Sequence, residues 1–405
     1  MGEPSPTVRK VVVPESFAQA ITSRSRVSES PHNLYKYPAR FAPEFAREAI
    51  RAFSKPGDLV LDCFQGGGTS IAEAVALGRR AVGYDISSLA CFLARAKTTP
   101  LTVHDERRLL VWSGQLGDLN DTAAIAEWTS IDTEDGYYRR NLPANALLFF
   151  SNVMFEIKRL KQSRQRRFAR LVLLAVGQWA LDCKSHVPSI AEMRTEYQSQ
   201  LKERVREFRA YTWQVAKKLG IQHRALEKQR TVVHASSELF GADGRAPKEK
   251  ASLVITSPPY PGVHMLYHRW QLNGRREMPA PFLLADCRDG DGISYYSLGH
   301  RFEEGLVTYY ERLKRIFTAV RGCLKPDAIV IQMVAFNRPE WQLPAFMAAM
   351  DEAGYDQMLP ESSQTLDDGH IWRPVPGRKW YAAMNKQAEG GNEVVLFHTP
   401  KSNIQ

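Results

Sequence analysis

Cysteine is scarce in this chain of 405 residues: five are present, Cys63, Cys91, Cys183, Cys287 and Cys323, with no Cys-x-x-Cys pair and no Cys/His ligand spacing. An odd, scattered set excludes a disulfide-built scaffold and a structural zinc site, and it fits a reducing compartment. Long apolar runs are missing as well, none approaching the roughly 18 residues that a membrane helix needs. The opening Met1-Gly2-Glu3-Pro4-Ser5-Pro6 has no apolar signal-peptide stretch and carries Pro6 where a myristoylation signal has Ser or Thr. The expectation is a soluble, cytoplasmic protein with no membrane partner and no metal. Acid is in deficit: 54 Lys+Arg face 44 Asp+Glu, and residues 154–230, with 18 basic and 7 acidic side chains, account for the whole surplus. A local excess of that kind points to a polyanionic partner.

What is present is an ordinary globular composition, 44% hydrophobic, with room for two or three domains. Residues 1–30 are polar and proline-spaced apart from Val11-Val12-Val13, and read as a flexible N-terminal arm. The block His32 to Glu44 packs Tyr35, Lys36, Tyr37, Pro38, Arg40 and Phe41 into a loop that opens a helix through Phe53, with Pro43 suited to its first position.

Next comes Asp58-Leu59-Val60-Leu61-Asp62-Cys63-Phe64-Gln65-Gly66-Gly67-Gly68-Thr69-Ser70: an apolar strand, a glycine turn, and a helix carrying Ile71, Ala72, Ala74, Val75 and Leu77. Glycines at such a turn let backbone approach a ligand closely. A second strand, Ala81-Val82-Gly83-Tyr84, ends on Asp85, where an acid can accept from ribose hydroxyls. The turn fits neither Gly-x-Gly-x-x-Gly nor a P-loop, and Asp62 before the glycines repels a pyrophosphate. A nucleoside with a cationic tail suits both acids.

Further along, Leu253-Val254-Ile255 runs into Thr256-Ser257-Pro258-Pro259-Tyr260. An apolar run stopped by two prolines reads as a buried parallel strand, which puts the turn at a carboxyl edge, where open α/β sheets bind ligands. Ser257 Oγ and the Pro258 carbonyl can accept from an amino group, and the Tyr260 ring can stack on a planar substrate. Taken alone, these residues equally describe a strand followed by a proline turn.

Together the two motifs resemble the DNA amino-methyltransferases. Asp62-x-Phe64-x-Gly66-x-Gly68-Thr69 is similar to their S-adenosylmethionine motif, and Ser257-Pro258-Pro259-Tyr260 to their catalytic motif in the serine form typical of cytosine-N4 enzymes. The block with Tyr37, Pro38 and Phe41 resembles the segment that covers the cofactor's methionine end. The resemblance implies an α/β fold, a Rossmann-like class I methyltransferase with a doubly wound, mostly parallel sheet. It implies S-adenosyl-L-methionine as cofactor, held by Tyr37, Phe41, Asp62, Phe64, Gly66, Gly68, Thr69, Asp85 and Ile86. Thr231-Val232-Val233-His234 resembles the third strand. Ser236 stands where the family often has an acid for the adenine amine, with Asp243 a less well-placed substitute.

The catalytic domain is expected to span residues 31–104 and 231–405, interrupted at 105–230 by a mainly helical basic subdomain whose last long helix covers about Ile190 to Leu219. Lys158, Arg159, Lys161, Arg164, Arg166, Arg167 and Arg170 would meet phosphates of double-stranded DNA, or else form a solvated helix face. His264, Tyr267 and Arg269, close after the catalytic turn, would contact a displaced base or simply pack a lid.

The expected reaction is methylation of cytosine N4 in DNA. A flipped base stacks on Tyr260, and its amine protons bond to Ser257 and the Pro258 carbonyl. Positioning then favours direct attack without a covalent intermediate. None of the five cysteines follows a proline, so carbon-5 chemistry is not expected. Adenine N6 is the nearest alternative; an RNA or protein-amide methyltransferase and a non-catalytic DNA-binding protein are more distant ones. A cognate restriction endonuclease is a partner that the resemblance allows.

Overall fold

The computed structural model describes residues 9–23, 25, 27–38, 40, 42–130, 132, 134, 136–262, 270–272, 276–287, 289, 296–299, 303–374 and 392–402. The chain opens with β1 (Arg9–Val12), α1 (Glu15–Thr22), α2 (Pro43–Phe53), β2 (Leu59–Asp62), α3 (Thr69–Ala76), β3 (Arg80–Asp85) and α4 (Ser88–Lys97). A helical stretch follows: α5 (Val103–Gly114), α6 (Ala123–Thr129), α7 (Ala144–Lys158), α8 (Ser163–Leu181) and α9 (Ile190–Leu219). Then come β4 (Arg230–His234), β5 (Ala251–Thr256), β6 (Trp270–Leu272), β7 (Arg276–Met278), α10 (Ala280–Ala285) and α11 (Glu303–Arg321). β8 (Leu324–Ala335), α12 (Pro339–Glu352), β9 (Tyr355–Glu361), β10 (Ile371–Pro374) and β11 (Asn392–Pro400) complete it.

Nine strands form one sheet in the order β1-β9-β11-β8-β5-β2-β3-β4, with β10 paired to β11. The pairs from β4 through β8 are parallel, and β11 runs antiparallel to both β8 and β9. This is a Rossmann-like α/β fold with a doubly wound, mostly parallel sheet. The strand order reverses between β2 and β5, which creates a crevice outside their carboxyl ends. Both sheet faces are covered, so the central strands are apolar on both faces along most of their length, with polar residues such as Asp62 and Thr256 at their carboxyl ends. Leu253 and Ile255 of β5 pack into the core on one face and Val254 into the core on the other.

The helices obey their local signals. Ser189 and Glu192 form a reciprocal capping box at the start of α9, which ends on Gly220 in the left-handed region at φ 65°. Pro43 occupies the first turn of α2. Residues of α5 to α9 share a third core with α4 and with the hairpin β6/β7. The indole of Trp270 lies against Gly177 of α8, where a Cβ would fall 2.3 Å from the ring. The hairpin β6/β7 is thereby docked on the helices α5 to α9.

One expectation is corrected. Residues 9–22 are not a flexible arm: β1 pairs in parallel with β9, Arg9 opposite Met358 through Val12 opposite Glu361. On α1, Phe17 is fully buried among Phe45, Phe53 and Phe397, at ring distances of 5.3, 5.8 and 6.4 Å. Polar spacing concealed an amphipathic helix, and one apolar face of Phe17, Ala18, Ala20 and Ile21 is enough to anchor it. Phe17→Ala is expected to lower unfolding free energy by about 3 kcal/mol or more, measured by urea denaturation; a loss near zero would mean that the segment is detached.

Candidate active site

The site grows from the turn between β2 and α3. Gly66 and Gly68 have φ of 48° and 74°, a region that side chains avoid. A Cβ on Gly68 would fall 2.6 Å from that of Ala94, and one on Gly67 would fall 2.9 Å from that of Tyr37. The glycine turn is therefore clamped between α4 and the buried Tyr37 ring, and it leaves a backbone cradle. Beneath it, the buried Lys97 donates from Nζ to the Gly67 carbonyl at 2.9 Å. Burial pushes the pKa of this ammonium down to about 7.

Asp62, at the end of β2, is enclosed by the protein. It is 1% exposed, because neighbouring donors fold over it. Oδ1 accepts from the Phe64 amide at 3.1 Å and from Thr256 Oγ1 at 2.8 Å, while Oδ2 accepts from Ser70 Oγ. Burial raises its pKa to about 6 despite these bonds.

Asp85, half-buried at the tip of β3, accepts from the Gly66 amide and the Ser87 amide, each at 2.8 Å. Burial lifts it to about 6, the two amides oppose the shift, and Asp62 and Asp289 add to it. Each carboxylate oxygen keeps a further lone pair. Next to it, the half-buried Ile86 offers its carbonyl to His234 Nε2 at 2.9 Å. Thr69 Oγ1, at the start of α3, is buried with no hydrogen-bond partner among the described residues. Phe64 is half-buried beside the turn.

The Ser257-Pro258-Pro259-Tyr260 turn leaves β5 immediately after Thr256. Ser257 Oγ donates its proton to the Met333 carbonyl of β8 at 2.9 Å, which leaves its lone pairs free to accept. Pro258 is buried, Pro259 half-buried, and Tyr260 Oη donates to Glu393 Oε1 at 2.6 Å. Glu393 is held in turn by Arg373 Nε at 3.0 Å, so the orientation of the Tyr260 ring is fixed.

Ser236 accepts from the Glu238 amide at 3.3 Å and caps the short turn Ser237–Leu239. Asp243 is engaged by Tyr84 Oη at 2.8 Å and by Arg245. The acid near the tips of β3 and β4 is instead Asp289, which sequence reasoning missed. It accepts from the Ser88 amide at 2.9 Å and from Tyr296 Oη at 2.9 Å, and lies 3.3 Å from His234 Nε2. Asp289 lies in a loop-rich stretch with no periodicity, so the sequence offered no signal for it.

Of the seven basic residues expected to meet phosphates or to form a solvated face, four are engaged within the chain. Arg164 is bound to the buried Asp105 at 2.7 Å. Arg166 donates to the Leu160 carbonyl, Arg167 to Thr99 Oγ1, and Arg170 to the Ala285 carbonyl and Asp286. These four guanidinium groups are half-buried glue between segments. Lys158 and Arg159 are exposed but ion-paired to Glu127 and Glu156, and Lys161 is exposed. Phe41, His264, Tyr267 and Arg269 lie outside the described residues. Among the described residues no group of three or more His, Cys, Asp or Glu could hold a metal ion, and no helix is long and apolar enough to cross a membrane.

Residues 16–95, which contain the glycine turn and both acids, match the sequence model of the N6/N4-type DNA methylases. About a fifth of the chain is thus similar to a segment of the DNA methylases. That family uses S-adenosylmethionine, and the glycine cradle with the unpartnered Thr69 hydroxyl fits such a ligand. Part of the chain also resembles curated relatives. The chain is 34% identical over 122 residues to the type II methyltransferase M.MvaI of Kocuria varians, covering 29% of this chain and 25% of that protein. It is 23% identical over 91 residues to the type II methyltransferase M.MjaII of Methanocaldococcus jannaschii, covering 22% and 17%. The matched stretches thus span a quarter or less of each relative's length. Among solved structures, TrmN from Thermus thermophilus aligns over 88% of this chain and 48% of its own at TM-score 0.32 and 12% identity. The rRNA methyltransferase aviRa from Streptomyces viridochromogenes aligns over 90% and 88% at TM-score 0.30 and 10% identity.

The buried Asp62 makes stability depend on pH with a definite sign. A carboxyl raised from 3.8 to about 6 in the folded state holds its proton more tightly there than when unfolded, so its contribution to stability falls as pH rises across that window and is flat above it. Asp62→Asn removes the term. The difference in unfolding free energy, wild type minus variant, should decrease between about pH 4 and 6; an increase across that range would reverse the assignment.

Proposed function

We propose that the chain transfers a methyl group from S-adenosylmethionine to the exocyclic amine of a base in double-stranded DNA, with cytosine N4 the preferred atom. The observation that carries this reading is the state of Ser257. Its hydroxyl has committed its proton to the Met333 carbonyl, so at the crevice edge it acts as an acceptor, as an amine donor requires.

Gly66, Gly68, Thr69, Phe64, Asp85, Ile86 and Tyr37 would hold the cofactor, and Asp62 would act behind them by fixing the turn. When bound, S-adenosylmethionine supplies a methyl group on a sulfonium sulfur. Asp85 accepts from ribose hydroxyls with its remaining lone pairs. Ser257 and the Pro258 carbonyl each accept one amine proton, which draws the conjugated nitrogen toward tetrahedral geometry and localises its lone pair. Tyr260, anchored on Glu393, presents a fixed aromatic face for a base taken out of the stack. Residues 31–104 and 231–405, extended at the N-terminus by β1 and α1, form the catalytic part in this reading, and 105–230 the insert.

Incubation with methyl-labelled cofactor and mixed genomic DNA, followed by nucleoside mass spectrometry, tests the proposal. N4-methylcytosine is expected from the wild type. Ser257→Ala should bind cofactor but transfer methyl about 100-fold more slowly, the scale of losing one positioned hydrogen-bonding group. N6-methyladenine would reassign the target atom, and absence of label in DNA beside intact cofactor binding would refute the substrate.

A further inference from the structure

Away from the catalytic edge, the start of α5, the C-terminal half of α9 and the turn His223–Gln229 enclose a cleft of about 340 Å³, within the range of small-ligand sites. Trp213, Val103, Arg209, His223 and Arg224 line it. The Trp213 indole is 49% exposed, a large apolar ring left open to solvent. Its other side rests on the His223 ring, centroids 5.0 Å apart, and that imidazole is held by Thr212 Oγ1 at 2.8 Å from Nε2. The indole is therefore backed by a tilted imidazole, 38° from parallel, and about half of the residue is open to solvent.

Charge at the cleft is one-sided. Arg209 is oriented by Glu106, whereas the exposed Arg224 makes no ion pair with a described residue. Adjoining the cleft, Arg167 and Arg230 converge on Thr99 Oγ1 at 3.1 and 2.9 Å, with Arg95 beside them and Glu227 as their acid. Burial holds the Arg230 and Arg167 guanidinium groups below their usual range, Glu227 opposes this, and the neighbouring arginines add to it. The turn His223–Gln229 precedes β4, whose five residues span about 15 Å before His234 reaches the Asp85 edge. The cleft therefore sits well apart from the crevice where methyl transfer is proposed.

We propose that this cleft binds a nucleotide unit, its base lying on the open part of the Trp213 indole and its phosphate against Arg224 and Arg209. A flat π-surface beside guanidinium groups matches the two halves of such a ligand, and base–indole stacking tolerates any base. The site does not depend on the methyl-transfer reading. The nucleotide comes either from a polynucleotide strand or as a free monophosphate.

Tryptophan fluorescence separates these sources when thymidine monophosphate and a short oligothymidylate are titrated into wild type, Trp213→Phe and Arg224→Gln. Both substitutions are at exposed positions and should leave the fold intact. Quenching present in the wild type and absent in Trp213→Phe is expected, and Arg224→Gln should weaken it about tenfold and lower the salt dependence by about one charge. Tighter quenching by the oligonucleotide assigns the site to a strand, and equal quenching assigns it to the free nucleotide. Quenching by neither probe, or affinity unchanged in Arg224→Gln, would overturn the proposal.

Discussion

The carboxylate of Asp62 is the constraint on which the site depends. A buried acid is costly unless donors replace its water, and here the three donors come from three places. The Phe64 amide belongs to the glycine turn, Ser70 Oγ to the first turn of α3, and Thr256 Oγ1 to the last residue of β5. One side chain thus joins the loop that suits a cofactor to the strand end that delivers Ser257. Because β2 and β5 are neighbours where the strand order reverses, the knot also sits at the base of the crevice.

Around that knot, orientation is supplied by elements far apart in the chain. Met333 of β8 fixes the Ser257 hydroxyl, Glu393 of β11 fixes Tyr260, and Lys97 at the end of α4 holds the Gly67 carbonyl. Helices α5 to α9 contribute by packing rather than by charge: their core takes in Trp270 and Met278 from beyond the Ser257 turn. Several arginines of α8 serve the same docking, their stems buried and their guanidinium groups tied to carbonyls and acids. Net charge alone could not reveal this, since a formal charge says nothing about the partner it has found.

What was legible in the sequence is what is local. Apolar runs, glycines and prolines fixed β2, the turn after it, β5 and the Ser257 turn, and Ile190–Leu219 emerged with its boundaries intact because cap and terminal glycine flank it. Asp289 was not legible, since only tertiary folding brings it to the Ser88 amide. The burial of Asp62 was not legible for the same reason: an acid before a glycine turn looks exposed until the hydroxyls that enclose it are known. The N-terminal segment was misread because a four-residue strand and an eight-residue helix carry too little pattern to outweigh polar surroundings.

The central claim is that the Asp62-pinned glycine turn and Asp85 form an S-adenosylmethionine site. Calorimetric titration of S-adenosylmethionine into the wild type and Asp85→Ala addresses it directly, with circular dichroism to confirm that the variant is folded. The account predicts saturable binding to the wild type and affinity weakened about tenfold or more in the variant, the scale of a charge-assisted hydrogen bond. Absence of binding to the wild type, or equal affinity in the variant, would contradict it.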